Sequence, residues 1–418
     1  MGKTEKTWFD KLFDEMSVSL NGFGEQITSE ADPFVMVVML LLIVLILYPY
    51  LIYPIILKLL NVFRHGDFGV GTQLESAPAL GVSFLICVYN GESLIEKKIN
   101  NILSLDNYQD SYNIYIISDC STDKTDEIVK NYPHPSVRLI RCPERYGKTR
   151  AENYALSHVS SDILIFSDTS TLFNSDLLIH VLPHFKNPKI GCVSTCDRIV
   201  CASQGTSMTT SREGLYVKYE MLLRKLETRL GVLTGASGSC FACRKQLAID
   251  IPSHLTRDLH VPLYCYQHNM IAVSEDKAVC QVPTKNDLRS EISRKIRTFT
   301  NGIDTLLYMK QLLNPFKYGL FAFCLLSHKY IRWLGGVLMG FLYGLSLINI
   351  DNSSIAIFFT LQTLLYVYCI LRYFGRISVS CSLCDAVYFF VLVNFSAIVA
   401  WYNHFCGNSY AFWEPTQR

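Results

Sequence analysis

The sequence predicts an α/β domain with a mostly parallel sheet, joined to α-helical membrane-spanning segments. Three observations carry this. Strand-like and helix-like runs alternate between residues 82 and 168 at the spacing of parallel crossovers. Charged residues make up only 18% of the 418, while apolar residues reach 50%. Soluble chains carry about a quarter charged residues, so part of this chain avoids water. Apolar runs too long for strands flank the alternating region on both sides.

Within an N-terminal segment over 1–33, Trp8, Phe9, Leu12, Phe13 and Met16 recur at helical spacing with Asp10, Lys11 and Glu15 between them. This is an amphipathic helix that either lies in a membrane interface or packs on protein. A first span over 34–60 is apolar apart from Lys58. It exceeds a signal-peptide core, and no A-x-A-like site follows, so it reads as a permanent anchor, kinked by Pro49 and Pro54.

Residues 67–314 read as the soluble domain. Val82–Val88 is a β-branched run ending in the turn Tyr89-Asn90-Gly91. Leu94, Ile95, Ile99 and Ile102 then mark a helix over Ser93–Leu105. A strand over Tyr112–Ile117 ends at Ser118-Asp119, with a helix from Lys124. A third strand, Val137–Arg141, precedes Tyr146-Gly147-Lys148 and a helix through Asn153 and Ala155. A fourth, Asp162–Phe166, ends at Ser167-Asp168. Polar residues gather just past the carboxyl ends of these strands, where open α/β sheets bind ligands. Neither a dinucleotide G-x-G-x-x-G after the first strand nor a P-loop motif is present.

Beyond the soluble domain, Tyr318–Leu326 is too short to span and is followed by His328, Lys329 and Arg332. An interface helix over 315–332 is therefore expected, then three spans within 333–403 and a tail over 404–418. Lys58, Arg64 and His65 beside the first span, and Arg372 and Arg376 between the last two, place the soluble domain in the cytoplasm by the positive-inside rule. A net charge of +2 argues against nucleic-acid binding. The 15 scattered cysteines read as free thiols. Cys381 and Cys384 form a C-x-x-C without the second pair that a metal site needs.

The strand-end residues resemble those of membrane-bound family 2 glycosyltransferases, the group that includes hyaluronan, cellulose and poly-N-acetylglucosamine synthases. Val88-Tyr-Asn-Gly-Glu-Ser is similar to the family's V-Y-N-E-E opening, and ISDCSTDKT (117–125) to its D-D-x-S-x-D-x-T loop. RYGKTRAENYAL (145–156) resembles R-x-G-K-x-x-A-L-N, and FSDTST (166–171) the D-x-D region. SGSCFACRKQL (237–247) resembles the acceptor-side segment, LTRDLHVPL (255–263) sits at the acidic motif, and SRKIRTFTNG (293–302) at Q-x-x-R-W. LSHKYIRWLGG (326–336) and the terminal WEPTQR resemble interface and tail segments of bacterial polysaccharide synthases. The order of these segments carries the resemblance. It implies a GT-A nucleotide-sugar-binding fold.

The resemblance also implies roles. Asp119 accepts hydrogen bonds from a uracil or ribose edge, with Tyr89 stacking on the ring and Glu92 nearby; the local alternative is that Asp119 caps the following helix. Lys148 supplies a point charge to the diphosphate, or is a solvated lysine. Asp168 holds Mg2+ or Mn2+ with help from Ser170, which replaces the second acid of D-x-D. Asp258 is the general base for the acceptor hydroxyl, kept ionised by the neighbouring Arg257, or else only a helix-start aspartate. Arg294 and Arg297 share a helix face and clamp the diphosphate, or face an anionic membrane. Thr298 stands where the family has its tryptophan, with Phe299, Tyr308 and Trp333 near in sequence.

The expected function is an inverting transferase that uses a UDP-sugar to extend a cell-surface polysaccharide, working among membrane lipids. The alternatives are transfer of one sugar to a lipid-linked acceptor, and an inactive membrane scaffold suggested by Ser118, Ser170 and Thr298.

Overall fold

The computed structural model describes residues 32–63, 80–106, 112–201, 212–284, 288–377, 381–408 and 410. The amphipathic segment around Trp8–Met16, the flanking Arg64 and His65, and the terminal WEPTQR lie outside them.

Eight strands form one sheet in the order β3-β2-β1-β4-β7-β6-β8-β5. They are β1 (Val82–Val88), β2 (Tyr112–Ser118), β3 (Val137–Arg141), β4 (Ile163–Asp168), β5 (Leu172–Phe173), β6 (Ile190–Cys201), β7 (Cys240–Arg244) and β8 (Ile271–Thr284). The expected parallel half is present: β1 pairs in parallel with both β2 and β4, and β2 with β3. β7 enters antiparallel to β4 and β6, while β6 and β8 pair in parallel. All seven residues of β1 are buried, which requires cover on both faces.

That cover follows from the two-residue period of a strand. Phe84, Ile86, Ile114, Ile116 and Ile165 face one core, which Ile95, Ile99 and Ile102 complete. Leu85, Cys87, Tyr115, Ile117, Leu164 and Phe166 face the other, which Ala151, Ala155, Val261 and Cys265 complete. The helices in chain order are α1 (Pro33–Phe63), α2 (Ile95–Leu103), α3 (Thr125–Lys130), α4 (Lys148–Leu156), α5 (Leu177–Val181), α6 (Arg212–Arg229), α7 (Arg257–Gln267), α8 (Leu288–Tyr308), α9 (Pro315–Leu325), α10 (Arg332–Ile348), α11 (Ser353–Tyr373) and α12 (Ser382–Phe405). The parallel register sets Val88 opposite Ser118, and Cys87 opposite Asp168. The loops after β1, β2 and β4 therefore leave one edge of the sheet together.

Four helical stretches among the described residues are long and apolar enough to cross a membrane: Pro33–Phe63, Pro315–Ile348, Ser353–Tyr373 and Leu383–Phe405. The segment expected as an interface helix over 315–332, feeding into a span, is continuous with the long apolar helix that follows. A π-helical turn over Leu326–Ile331 joins α9 to α10, and Gly319, at φ 50°, breaks the helix near its start.

The chain divides into two compact units, Met1–Tyr48 with Leu334–Phe395, and Pro49–Trp333 with Ser396–Arg418. Met39, Ile46, Leu342 and Ile355 form a small core in the first, packed by Leu42, Leu338 and Phe358. The second contains the sheet. There Tyr53 and Leu57 of α1 are fully buried, and Asn61 Nδ2 donates to the carbonyls of Leu57 and Leu226.

Candidate active site

The carboxyl edge of the sheet opens into a cavity of about 430 Å³ within the second unit. Of the residues singled out in the sequence, Tyr89, Lys148, Asp168, Ser170, Asp258, Arg294 and Arg297 line it, as does Thr298. Glu92 and Asp119 do not line it, and their contacts explain why.

Asp119 is 2% exposed, and its two oxygens accept from the backbone N–H groups of Tyr146 (2.6 Å) and Gly147 (2.9 Å). It holds the β3–α4 loop, which Gly147 turns at φ 80°, and so sets where Lys148 begins α4. Its side chain does not cap α3. Glu92 accepts from Lys124 N at 3.0 Å, clipping the β1 loop to the β2 loop. Asn90, itself at φ 49°, accepts from Thr122 N at 2.8 Å in the same joint. Tyr89 carries the Arg145 guanidinium 4.0 Å from its ring centre.

Lys148 reaches across to Asp168 at 2.7 Å, and 38% of its side chain stays accessible through the cavity. Burial works against its charge, but Asp168 and Glu152 outweigh that and hold the ammonium above the ordinary lysine range. Asp258 contributes to the same field. The lysine therefore stands charged against Asp168, within the field of Asp258.

Asp258 sits in the first turn of α7, where an aspartate favours the positive helix end. Its backbone carbonyl accepts from Ala236 N at 2.9 Å, and a side-chain oxygen contacts the Thr256 hydroxyl. The bare Gly238 leaves space beside Oδ2: a Cβ there would stand 3.0 Å from it. Arg257 does not serve Asp258 as the sequence suggested. It turns into the core, where Nε donates to Glu152 Oε2 at 3.0 Å and Nη1 to the Ile249 carbonyl at 2.9 Å. Consecutive helical residues point about 100° apart, so one of the pair faces the cavity and the other the sheet.

The donor set bears on a divalent ion. Asp168 is one carboxylate, with a hydroxyl at Ser170, and no group of three or more His, Cys, Asp or Glu among the described residues forms a cage. Such a set suits a hard cation that arrives with phosphate oxygens, since Mg2+ is commonly held by one or two carboxylates plus substrate phosphates.

Several residues escaped the sequence reading. Lys98 lies on the apolar stripe of α2 and is fully buried, donating to Ser167 Oγ at 3.0 Å and the Thr171 carbonyl at 2.6 Å. It ties down the loop that carries Asp168 and Ser170, and burial lowers its pKa to about 8. A lysine at the spacing of Leu94, Ile95 and Ile102 was the available signal. Tyr216, Glu220 and Arg224 of α6 also line the cavity. Glu220 and Glu227 share a helix face, but that pattern equally describes a solvated helix. Trp333, one of the aromatics named in the sequence, lines the cavity as well, packed over Gly302, where a Cβ would meet its ring at 2.8 Å.

Residues 83–251 match the family model Glycosyl transferase family 2. A poly-beta-1,6-N-acetyl-D-glucosamine synthase of Staphylococcus aureus is 24% identical over 233 residues, 54% of this chain and 56% of that relative. A beta-monoglucosyldiacylglycerol synthase of Nostoc is 28% identical over 169 residues, 40% of this chain and 36% of that relative. The chain thus spans about half the length, or less, of these curated relatives. A mannosyltransferase from Pyrobaculum calidifontis, solved with GDP-Man and Mn2+, shares the fold at TM-score 0.69 and 17% identity, covering 90% of this chain and 100% of that one. The α/β unit is thereby a GT-A-like domain.

Proposed function

From the premise that residues 83–251 are a glycosyl transferase family 2 domain, we propose an inverting enzyme that moves a sugar from a UDP-sugar onto a growing cell-surface polysaccharide. The reading rests on the convergence of Lys148, Asp168, Asp258, Arg294 and Arg297 on one cavity at the carboxyl edge of the sheet. Tyr89 offers a ring for the base. Lys148, Arg294 and Arg297 receive the charge of the diphosphate as it leaves the anomeric carbon. The acceptor oxygen bonds to that carbon from the opposite side, and its proton passes to the Asp258 carboxylate. The basic flanks of the apolar helices favour a cytoplasmic catalytic domain on an integral membrane protein.

Asp168 and Ser170 would hold a divalent ion, Mg2+ or Mn2+, which when bound would supply counter-charge for the diphosphate. Excess chelator is expected to stop UDP release by the purified protein, and either ion to restore it. Full activity in chelator would shift that charge relief onto Lys148, Arg294 and Arg297.

Thr298 in the place of the family's tryptophan favours a second reading, single transfer to a lipid-linked acceptor. Trp333, in the same cavity, offers a substitute aromatic surface for a sugar chain. The deciding experiment incubates purified protein with a panel of UDP-sugars, follows UDP release, and sizes the labelled product. A ladder supports the polymerase; one added sugar on a lipid rejects it; no UDP release from any donor rejects both.

A further inference from the structure

A cluster of charged residues at one side of the cavity remains without a role in the reaction described above. Lys329 and Arg224 both line the cavity. Lys329 is nine-tenths buried, and among the described residues its ammonium has neither an ion pair nor a hydrogen-bond acceptor. Arg224 donates through Nη2 to the Ala236 carbonyl at 3.1 Å, while its buried Nε and Nη1 have no partner among the described residues.

The neighbouring carboxylates engage other donors, and among the described residues none bonds to Lys329 or Arg224. Glu220 gives one oxygen to Arg332 and the other to His328 Nε2 at 3.2 Å. Glu227 Oε1 accepts from Tyr53 OH at 2.8 Å and lies 2.6 Å from His328 Nδ1. Its Oε2 accepts from Thr234 N and Oγ1, both at 3.1 Å. Asp197 is occupied by Ser237 and Ser239. These acids lower the cost of burying the two cations without using their donors. Unmade donor bonds on buried charged groups are expensive, and a ligand that completes them gains that difference.

The position decides which ligand. Lys329 Nζ stands 3.4 Å from where a Gly235 Cβ would lie, and Gly238, three residues on, borders Asp258 Oδ2. The unpaired cations and the proposed base therefore flank one short segment, 235–238, on the acceptor's side. Lys329 also belongs to a helix long and apolar enough to cross a membrane.

We infer that Lys329 and Arg224 form an oxyanion subsite for a phosphate or carboxylate carried by the acceptor, separate from the groups that receive the donor's diphosphate. The inference rests on the transferase reading and adds the chemical class of the acceptor.

The test uses the full chain in detergent, first saturated with UDP so that the donor site is filled. Inorganic phosphate, glucuronate and farnesyl phosphate are then titrated calorimetrically. At least one is expected to bind. Preference for farnesyl phosphate marks a lipid phosphate, preference for glucuronate a sugar acid, and binding of phosphate alone a phosphate group. Lys329→Met should weaken that binding about tenfold or more, the worth of one charged hydrogen bond. Its melting temperature should hold or rise, because an unpaired buried charge is removed; a purely structural lysine would lower it. Arg224→Gln, which keeps a donor for Ala236, provides the second variant and should also weaken binding. Absence of binding by all three probes, wild-type affinity in both variants, or displacement of the anion by UDP overturns the subsite. Failure of UDP itself to bind overturns the transferase reading and the subsite with it.

Discussion

Asp258→Asn is expected to lose about two to four decades of transfer rate while still binding UDP-sugar, the usual worth of a positioned general base. Asparagine keeps the shape of the side chain, and the contact to Ala236 is made by the backbone carbonyl, which the substitution leaves in place. What disappears is the ability to take a proton from the acceptor hydroxyl. In the proposed mechanism donor binding rests instead on Lys148 and Asp168, which pair at 2.7 Å. Comparing UDP release under single turnover with the donor Kd separates the two effects. Wild-type turnover in the variant would place the base elsewhere.

Arg257→Met is expected to destabilise the fold by about 3–5 kcal/mol, the cost of stripping one partner from a buried ion pair. Arg257 and Glu152 are 3% and 4% exposed at their side chains, so the pair is shielded from solvent. Burial already pushes the Glu152 carboxyl up against the pull of Lys148 and Arg257. Loss of Arg257 frees the first turn of α7 from α4, so Asp258 loses its setting as well. The double variant Glu152→Leu/Arg257→Met should recover most of the stability, because removing both partners leaves no unpaired buried charge. Denaturant unfolding of the three proteins measures this. A single variant as stable as the wild type would show that the pair carries no weight.

The sequence by itself determined the parallel half of the sheet, β1 to β4, and the strand-end edge where the candidate residues gather. β1 falls at Val82–Val88 and β3 at Val137–Arg141, with the bounds read from residue pattern, because alternation and turn residues are local properties. The helix stripe of Ile95, Ile99 and Ile102 meets the core as its spacing requires. Lys148, Asp168, Asp258, Arg294 and Arg297 were legible because strand ends and motif order locate them along the chain. Tertiary structure alone decided partners. Arg257 pairs with Glu152, 105 residues away, rather than with the aspartate beside it. Asp119 closes on a loop 27 residues downstream instead of capping its own helix. Glu227 meets Tyr53 and His328 across 174 and 101 residues, while among the described residues the Lys329 ammonium and two of the three Arg224 guanidinium nitrogens have no acceptor. Local spacing fixes which face a side chain takes. Which charge meets it there depends on how distant segments pack, and a buried ionised group must be matched by whatever that packing brings within reach.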